Sequence, residues 1–479
     1  MNDPAPGSAV AIEQNGINVI AEGERRGRPR SLFWPWSAAN ISVLGISYGS
    51  FMLGFGLSWW QGALAGVLGA IGSFLLVGLV SLAGRRGSAP TMVLSRAAFG
   101  VQGNAVPAAI SYLLLVGWET VLVALATLAT STVLDRLGLP SGTGTKVIAF
   151  IIVAAVIVAV GILGFDAIMR VQTVLTVGLA ILTVGYMALT ASHIHPSRIG
   201  DLPGAGFSEF LGALVLAATG FGLGWVNSAA DYSRYLPRNS SGRAIVGWTT
   251  LGGSIAPVIL IVWGVLLAGS SDSLNGAIAG DPIGALTRIL PTWYLVPFVI
   301  VAVGGLVAGA VLDIYSSGLV LLTLGLRVQR WKAAGIDGVI MIAGTIYVVF
   351  FATDFIGPFQ GFLITLGVPI TAWCGVFLAD LMLRRGPYVE ADLYRAGRYG
   401  VVNPVSLFAL VVATVVGLGL VTNTLSDAFS WQGYLLDPVG LGPKTGGTWS
   451  GANLGVIVAF VIGFGGYAAS RVGGSVAHR

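Results

Sequence analysis

Apolar runs about as long as a bilayer is thick recur along this chain, and that recurrence decides most of how it can fold. A membrane-crossing helix needs about 20 mostly apolar residues. Such runs fall near residues 36–58, 62–82, 104–134, 146–164, 169–190, 208–230, 244–269, 293–324, 336–352, 358–383, 402–422 and 453–470. Only 9% of the 479 residues are charged and 55% are hydrophobic, whereas soluble domains carry about 25% charged residues. A soluble multidomain protein is therefore excluded. The seventy glycines follow no collagen period and suit close helix packing in a membrane. The expected fold is an all-α integral membrane protein with twelve transmembrane helices.

The charges lie almost wholly in the loops. With the amino terminus inside, twenty of the 25 Lys and Arg residues fall on the inner side; only Arg136, Lys146, Arg198, Arg288 and Lys444 fall outside. The positive-inside bias then puts both termini in the cytoplasm of a multi-pass protein of the cell's inner (plasma) membrane, and favours an even number of spans. The net charge of +5 thus reports topology and implies no nucleic acid. Residues 1–33 are polar, rich in Gly, Pro and Arg, and lack a signal-peptide core, which reads as a disordered cytoplasmic tail. A core of ten spans over 34–400, two further spans over 401–470 and a cytoplasmic tail at 471–479 complete the expected organisation. Cys374 is the one cysteine, so no intrachain disulfide or thiolate metal site is expected. His193 and His195 share a loop and read as solvated; no metal and no cofactor is expected.

Two runs are unlike the others. The first carries Gly45, Gly49, Gly54 and Gly56, and the sixth carries Gly220, Gly222 and Gly224. Glycine in a helix costs about 1 kcal/mol relative to alanine, so such clusters mark places where a helix can open. Alternatively they only let neighbouring helices approach. Their spacing, five spans apart, favours opening: it is the placement expected of a five-plus-five inverted repeat with discontinuous helices 1 and 6.

A charged carboxylate at mid-membrane costs about 2.5–3.5 kcal/mol, so each one asks for a reason. Glu119 lies in the third run and Asp313 in the eighth, with no Lys or Arg at similar depth. Protonation is the easiest way to neutralise them, and a protonatable carboxylate at the midplane couples transport to a proton. The alternative is a protonated carboxyl bonded to neighbouring backbone, and Glu119 faces either the cavity or a helix neighbour. Trp118 adjoins Glu119, while Phe221 and Trp225 flank the sixth run's glycines. Two rings beside opened backbone would sandwich a flat ligand. Amides next to Gly222 and Gly224 would meet its edge, with Asn40 and Asn227 as further polar groups.

These residues carry a resemblance. The stretch Gly220-Phe-Gly-Leu-Gly-Trp-Val-Asn-Ser-Ala-Ala-Asp-Tyr-Ser-Arg-Tyr-Leu-Pro-Arg-Asn239 is similar to the sixth span of the nucleobase–cation symporter family, in its purine–cytosine permease branch. Ser95–Asn104, Val116–Thr120, Tyr315–Leu319 and Ala379–Tyr388 fit in the family's order, so the resemblance covers roughly residues 36 to 400. It implies a five-plus-five inverted fold plus two helices, and uptake of a nucleobase (cytosine or a purine) or a related flat heterocycle by cation symport. Allantoin and vitamin precursors such as pyridoxine or hydroxymethylpyrimidine stay open. By resemblance, Trp118 is the stacking tryptophan of span three, and Phe221 or Trp225 is the opposing ring. Asp313 stands where relatives carry base-reading asparagines. Residues 301–312 contain no Asn, Ser or Thr, whereas sodium-binding relatives use span-eight hydroxyls there. A proton is therefore favoured over sodium.

Asp231, Arg234 and Asp380 lie near the expected cytoplasmic mouth and suggest a gate of breakable ion pairs, although the arginine equally fits topology anchoring. A membrane enzyme is disfavoured because no zinc, paired-aspartate, nucleophile-elbow or phosphate-loop motif is present. A channel is disfavoured because no charge rings or repeated pore loops occur. An amino-acid carrier of the same fold is the nearest competitor, but it has less use for a stacking tryptophan. The expected function is proton-coupled import through alternating access, with no catalytic residues.

Overall fold

The computed structural model describes residues 12–352, 356–423 and 427–476, and the regular elements among them are all helical. The first seven are α1 (Phe33–Asn40), α2 (Leu44–Leu53), α3 (Trp59–Gly87), α4 (Thr91–Phe99), α5 (Ala105–Arg136), α6 (Thr143–Leu163) and α7 (Phe165–Thr190). Next come α8 (Pro196–Gly200), α9 (Phe207–Gly220), α10 (Ala229–Ser233), α11 (Gly242–Gly269) and α12 (Asp272–Gly280). The chain continues through α13 (Leu295–Thr323), α14 (Arg330–Phe350), α15 (Ile356–Leu383), α16 (Pro404–Gly419) and α17 (Gly455–Val476). Among the described residues, eight helices are long and apolar enough to cross a membrane. A ninth is obtained when Phe207–Gly220 and Gly222–Ser233, bent by 40°, count as one. Shorter apolar helices, Leu44–Leu53, Pro404–Gly419 and Gly455–Arg471, lie in the remaining apolar runs.

The outer faces of these helices are hydrocarbon. Ile148, Val174, Ile181, Val339 and Phe408 are each more than 60% exposed, a surface that suits lipid rather than water. Inside the bundle α5 packs on α13, α11 on α2 and α3, and α15 on α17. Arg85, Arg86, Arg327, Arg330, Arg384, Arg385, Arg395 and Arg398 lie in or beside the connections from α3 to α4, α13 to α14 and α15 to α16, and Arg330 reaches the carbonyls that end α6; together they define an arginine-rich end.

Both interruptions have local causes. At the first, Asn40 turns its Nδ2 back to the Trp36 carbonyl at 2.7 Å, Ile41 leaves the helical region (φ −81°, ψ 78°), and the Ser42 hydroxyl accepts from Leu44 N at 3.3 Å. Short polar side chains that compete for backbone partners thus end α1 and start α2. The glycines expected to open this run sit elsewhere: Gly45 and Gly49 lie inside α2, and Gly54 and Gly56 lie just past its end. A Cβ on Gly49 would overlap the backbone of Gly264 and Val265 in α11, so Gly49 serves close packing. At the second interruption Phe221 (φ −117°, ψ −105°) ends α9, within the glycine cluster as expected.

The amino-terminal segment corrects the reading of residues 1–33 as disordered; residues 1–11 lie outside the described residues. Residues 12–32 run across the arginine-rich end. Glu13 N donates to Leu163 O at 3.0 Å, Ile20 N to Ser88 O at 2.8 Å and Arg26 N to Tyr235 O at 2.7 Å. Ile20 is fully buried. The Glu13 carboxylate accepts from Arg234 Nη2 and Tyr315 Oη, each at 3.0 Å, from Phe165 N at 2.8 Å and from the Tyr235 hydroxyl. It also faces Arg330 Nε at 3.4 Å. Composition alone misses this segment because its order comes from partners distant in sequence.

Candidate functional site

Both helix interruptions border one cavity. Ala39, Asn40, Ser42, Leu44 and Gly45 line it from the first, Gly220, Phe221 and Trp225 from the second, and Tyr48, Trp118, Leu122, Gly305 and Gly309 complete its wall. Trp118, Phe221 and Trp225 are each less than 10% exposed. Tyr48 tilts onto Phe221 at 4.7 Å between centroids, Trp225 meets Trp36 edge-on at 5.7 Å, and Phe359 meets Trp118 edge-on at 5.1 Å. Trp118 Nε1 is buried and meets no acceptor among the described residues. The cavity measures 40 Å³, room for about one or two waters and far below the roughly 300 Å³ of a small-molecule pocket.

Of the residues expected at a ligand, Trp118, Phe221 and Trp225 come together here, and both span-six rings reach the wall. Gly222 and Gly224 do not line it. The Gly222 amide donates to Ser73 Oγ at 3.0 Å and the Gly224 amide to Phe221 O at 3.2 Å, so these N–H groups are already engaged. Gly224 instead lies against the Trp118 indole, where a Cβ would stand 2.9 Å from Nε1. Asn227 donates to Ser111 Oγ at 2.7 Å, away from the wall. Asn40 remains at the cavity.

Glu119 and Asp313 are not in the cavity wall either. Glu119, fully buried on α5, lies beside the Asp337 carboxyl group of α14 and the Ser317 hydroxyl of α13, and neither of its oxygens has a donor among the described residues. Ser317 gives its one proton to Asp337 Oδ2, and Tyr112 Oη donates to Asp337 Oδ1 at 2.8 Å. Asp313, 1% exposed, lies in the field of this pair, and both its oxygens lack a donor among the described residues. The unit is thus a carboxyl cluster shared by α5, α13 and α14. Asp337 escaped sequence reasoning because it stands at the edge of its apolar run, near the Arg330 loop. A carboxylate about two turns inside α14 was the signal available.

The three residues expected to gate the mouth separate into three unrelated contacts, and no ion pair joins them among the described residues. Asp231 caps α4, accepting from Thr91 N at 2.7 Å and Thr91 Oγ1 at 2.9 Å. Arg234 pairs with Glu13. Asp380 pairs with Arg384 at 2.5 Å and Arg471 at 3.5 Å. Each charge is held by its own partner, so these residues do not pair with one another.

The described residues thus form an all-helical bundle, apolar enough to cross a membrane, with breaks after Asn40 and Gly220 beside one aromatic cavity. The sequence profile of the family described as a permease for cytosine/purines, uracil, thiamine and allantoin matches residues 19–434. The chain belongs to this family, whose members are transporters and not enzymes. It is 24% identical over 428 residues to the YxlA protein of Bacillus subtilis (strain 168), whose name assigns it provisionally to the purine–cytosine permeases; the match covers 87% of this chain and 89% of that one. In fold the chain is similar to Mhp1, a nucleobase-cation-symport-1 family transporter solved closed with bromovinylhydantoin bound. That match has a TM-score of 0.70 and 19% identity, over 95% of this chain and 94% of that one. The inward-facing Mhp1 structure gives a TM-score of 0.65 at 20% identity, over 97% and 95%. A Na+-coupled sialic acid symporter shares the fold more distantly, with a TM-score of 0.56 at 11% identity, over 92% and 90%.

Proposed function

We propose that this protein imports a nucleobase (cytosine or a purine) or a related flat heterocycle by proton symport through alternating access. The observation that carries this reading is the cavity wall itself: Trp118, Phe221 and Trp225 meet beside two helix interruptions. Stacking on aromatic rings contributes roughly 1–3 kcal/mol per base, and Asn40 and Ser42 offer polar contacts to the ligand's edge. The proposed architecture has twelve spans. Spans one to five and six to ten are inverted repeats, each led by an interrupted helix, with α16 and α17 added and both termini in the cytoplasm.

The carboxyl cluster is the proposed coupling site. Two neighbouring carboxyl groups within a dry interior share a proton, because both cannot be charged there. Glu119 and Asp337 stand in that relation, and Asp313 adds a third acidic group. Sodium has less support. Where α13 meets the first interruption it presents Gly305 against Ile41 and Ser42, with no side-chain oxygen of its own. One proton moving down 100 mV supplies about 2.3 kcal/mol, enough for roughly 50-fold accumulation.

Uptake into proteoliposomes tests this. Cytosine, adenine, hypoxanthine, guanine, uracil, allantoin, pyridoxine, hydroxymethylpyrimidine and several amino acids are offered under an imposed proton or sodium gradient. Concentrative uptake of one heterocycle driven by the proton gradient, and lost in Asp313→Asn, is expected. Uptake of amino acids alone overturns the substrate class. Dependence on sodium alone overturns the coupling ion, and unchanged accumulation in Asp313→Asn removes that residue's role.

A further inference from the structure

A second cavity, of 690 Å³, lies at the arginine-rich end, where α15 and α17 finish and α16 begins. Four arginines line it, Arg384, Arg385, Arg398 and Arg471, against one carboxylate, Asp380. Asp380 holds Arg384 and Arg471, and the Arg384 guanidinium also lies over the Tyr388 and Tyr399 rings at 4.9 and 5.2 Å. These groups form a fixed wall. Arg385 and Arg398 are exposed, and among the described residues no carboxylate pairs with either. The cavity therefore keeps an excess of positive charge with two guanidinium groups at its opening.

Its rim is hydrocarbon. Leu383 and Val402 line the same cavity at 43% and 46% exposure. Met382, Val405 and Phe408, at 68%, 44% and 71%, continue from it along α15 and α16. Phosphate oxygens pair well with arginine forks, and basic pockets between membrane helices take anionic headgroups. A soluble anion would gain nothing from the apolar rim, whereas an acyl chain would lie along it. We propose that this cavity binds the headgroup of an anionic phospholipid from the leaflet at the arginine-rich end, with a chain along the exposed face of α15 and α16.

The test is native mass spectrometry of the full chain in neutral detergent. Equal concentrations of dioleoylphosphatidylglycerol, dioleoylphosphatidylcholine or glycerol 3-phosphate are added. Each arginine near a membrane surface changes anionic-lipid affinity roughly fivefold. Arg385→Gln with Arg398→Gln is therefore expected to weaken phosphatidylglycerol retention roughly 25-fold. Both side chains are exposed, so the fold should tolerate the change. Arg243→Gln with Arg327→Gln removes the same charge elsewhere at this end and is expected to leave retention unchanged. Retention of phosphatidylcholine equal to phosphatidylglycerol overturns the headgroup assignment. Glycerol 3-phosphate binding as tightly as the lipid makes this a soluble-anion site and overturns the lipid. Equal loss in the control pair reduces the effect to general charge attraction and overturns the site.

Discussion

Glu13→Ala is expected to free the amino-terminal strap while the helical bundle stays folded. The Glu13 side chain is 9% exposed, and the two guanidinium groups it meets, Arg234 and Arg330, are 0% and 1% exposed. Removing one partner of a buried ion pair costs about 3–5 kcal/mol, because the other charge is left uncompensated. Here the residual charges keep other acceptors. Arg234 still donates to Tyr315 Oη at 2.8 Å, and Arg330 to Gly161 O at 2.8 Å and Ile162 O at 2.5 Å. The lower end of the range, about 3 kcal/mol, is therefore expected, and it falls on detachment of the strap. Hydrogen exchange reads that equilibrium directly. The amides of residue 13, Ile20 and Arg26, bonded to Leu163, Ser88 and Tyr235, should exchange roughly 100-fold faster in peptides covering 12–26. Peptides from α5 and α13 should be unaffected. Glu13→Gln, which keeps an acceptor oxygen and loses the charge, should fall between the two. Unchanged exchange across 12–26 in Glu13→Ala would refute the reasoning, since the carboxylate would then not hold the strap.

Three further outcomes are expected. Trp118→Ala should weaken binding of every flat substrate by roughly 5- to 100-fold, the loss of one stacking face, as read by isothermal titration; loss confined to one base would point to edge contacts instead. Asp337→Asn should leave the protein folded, because its amide oxygen still accepts from one of the Tyr112 and Ser317 hydroxyls while its NH2 donates to the other, and abolish accumulation driven by a pH gradient while counterflow exchange persists. Gly49→Ala should lower the thermal midpoint in detergent at a cost of about 1–3 kcal/mol, since the added carbon meets backbone of α11. Gly247→Ala on the outside of α11, where a Cβ meets nothing within 4 Å, should be neutral or stabilising.

Hydropathy made the membrane class, the long helices and the interruption at Phe221 legible, because burial in lipid and the cost of glycine in a helix act locally along the chain. That Trp118, Phe221 and Trp225 would meet at one cavity was legible for a similar reason: rings beside opened backbone stand out from sequence order alone. The first interruption was less so. Its glycines drew attention, yet Gly49 is needed for contact with α11, and Asn40 and Ser42 end the helices by taking backbone partners. Helix rotation decided the rest. Glu119 follows Trp118 in sequence, but about 100° around the helix turns it from the cavity toward Asp337. Glu13 reads as part of a solvated tail, and only the fold brings to it Arg234 and Arg330, more than 200 and 300 residues away. Partition between water and lipid is a property of each segment and can be read from it. Which buried charge meets which is a property of the packed bundle, because a carboxylate's neighbours come from helices whose register no single segment contains.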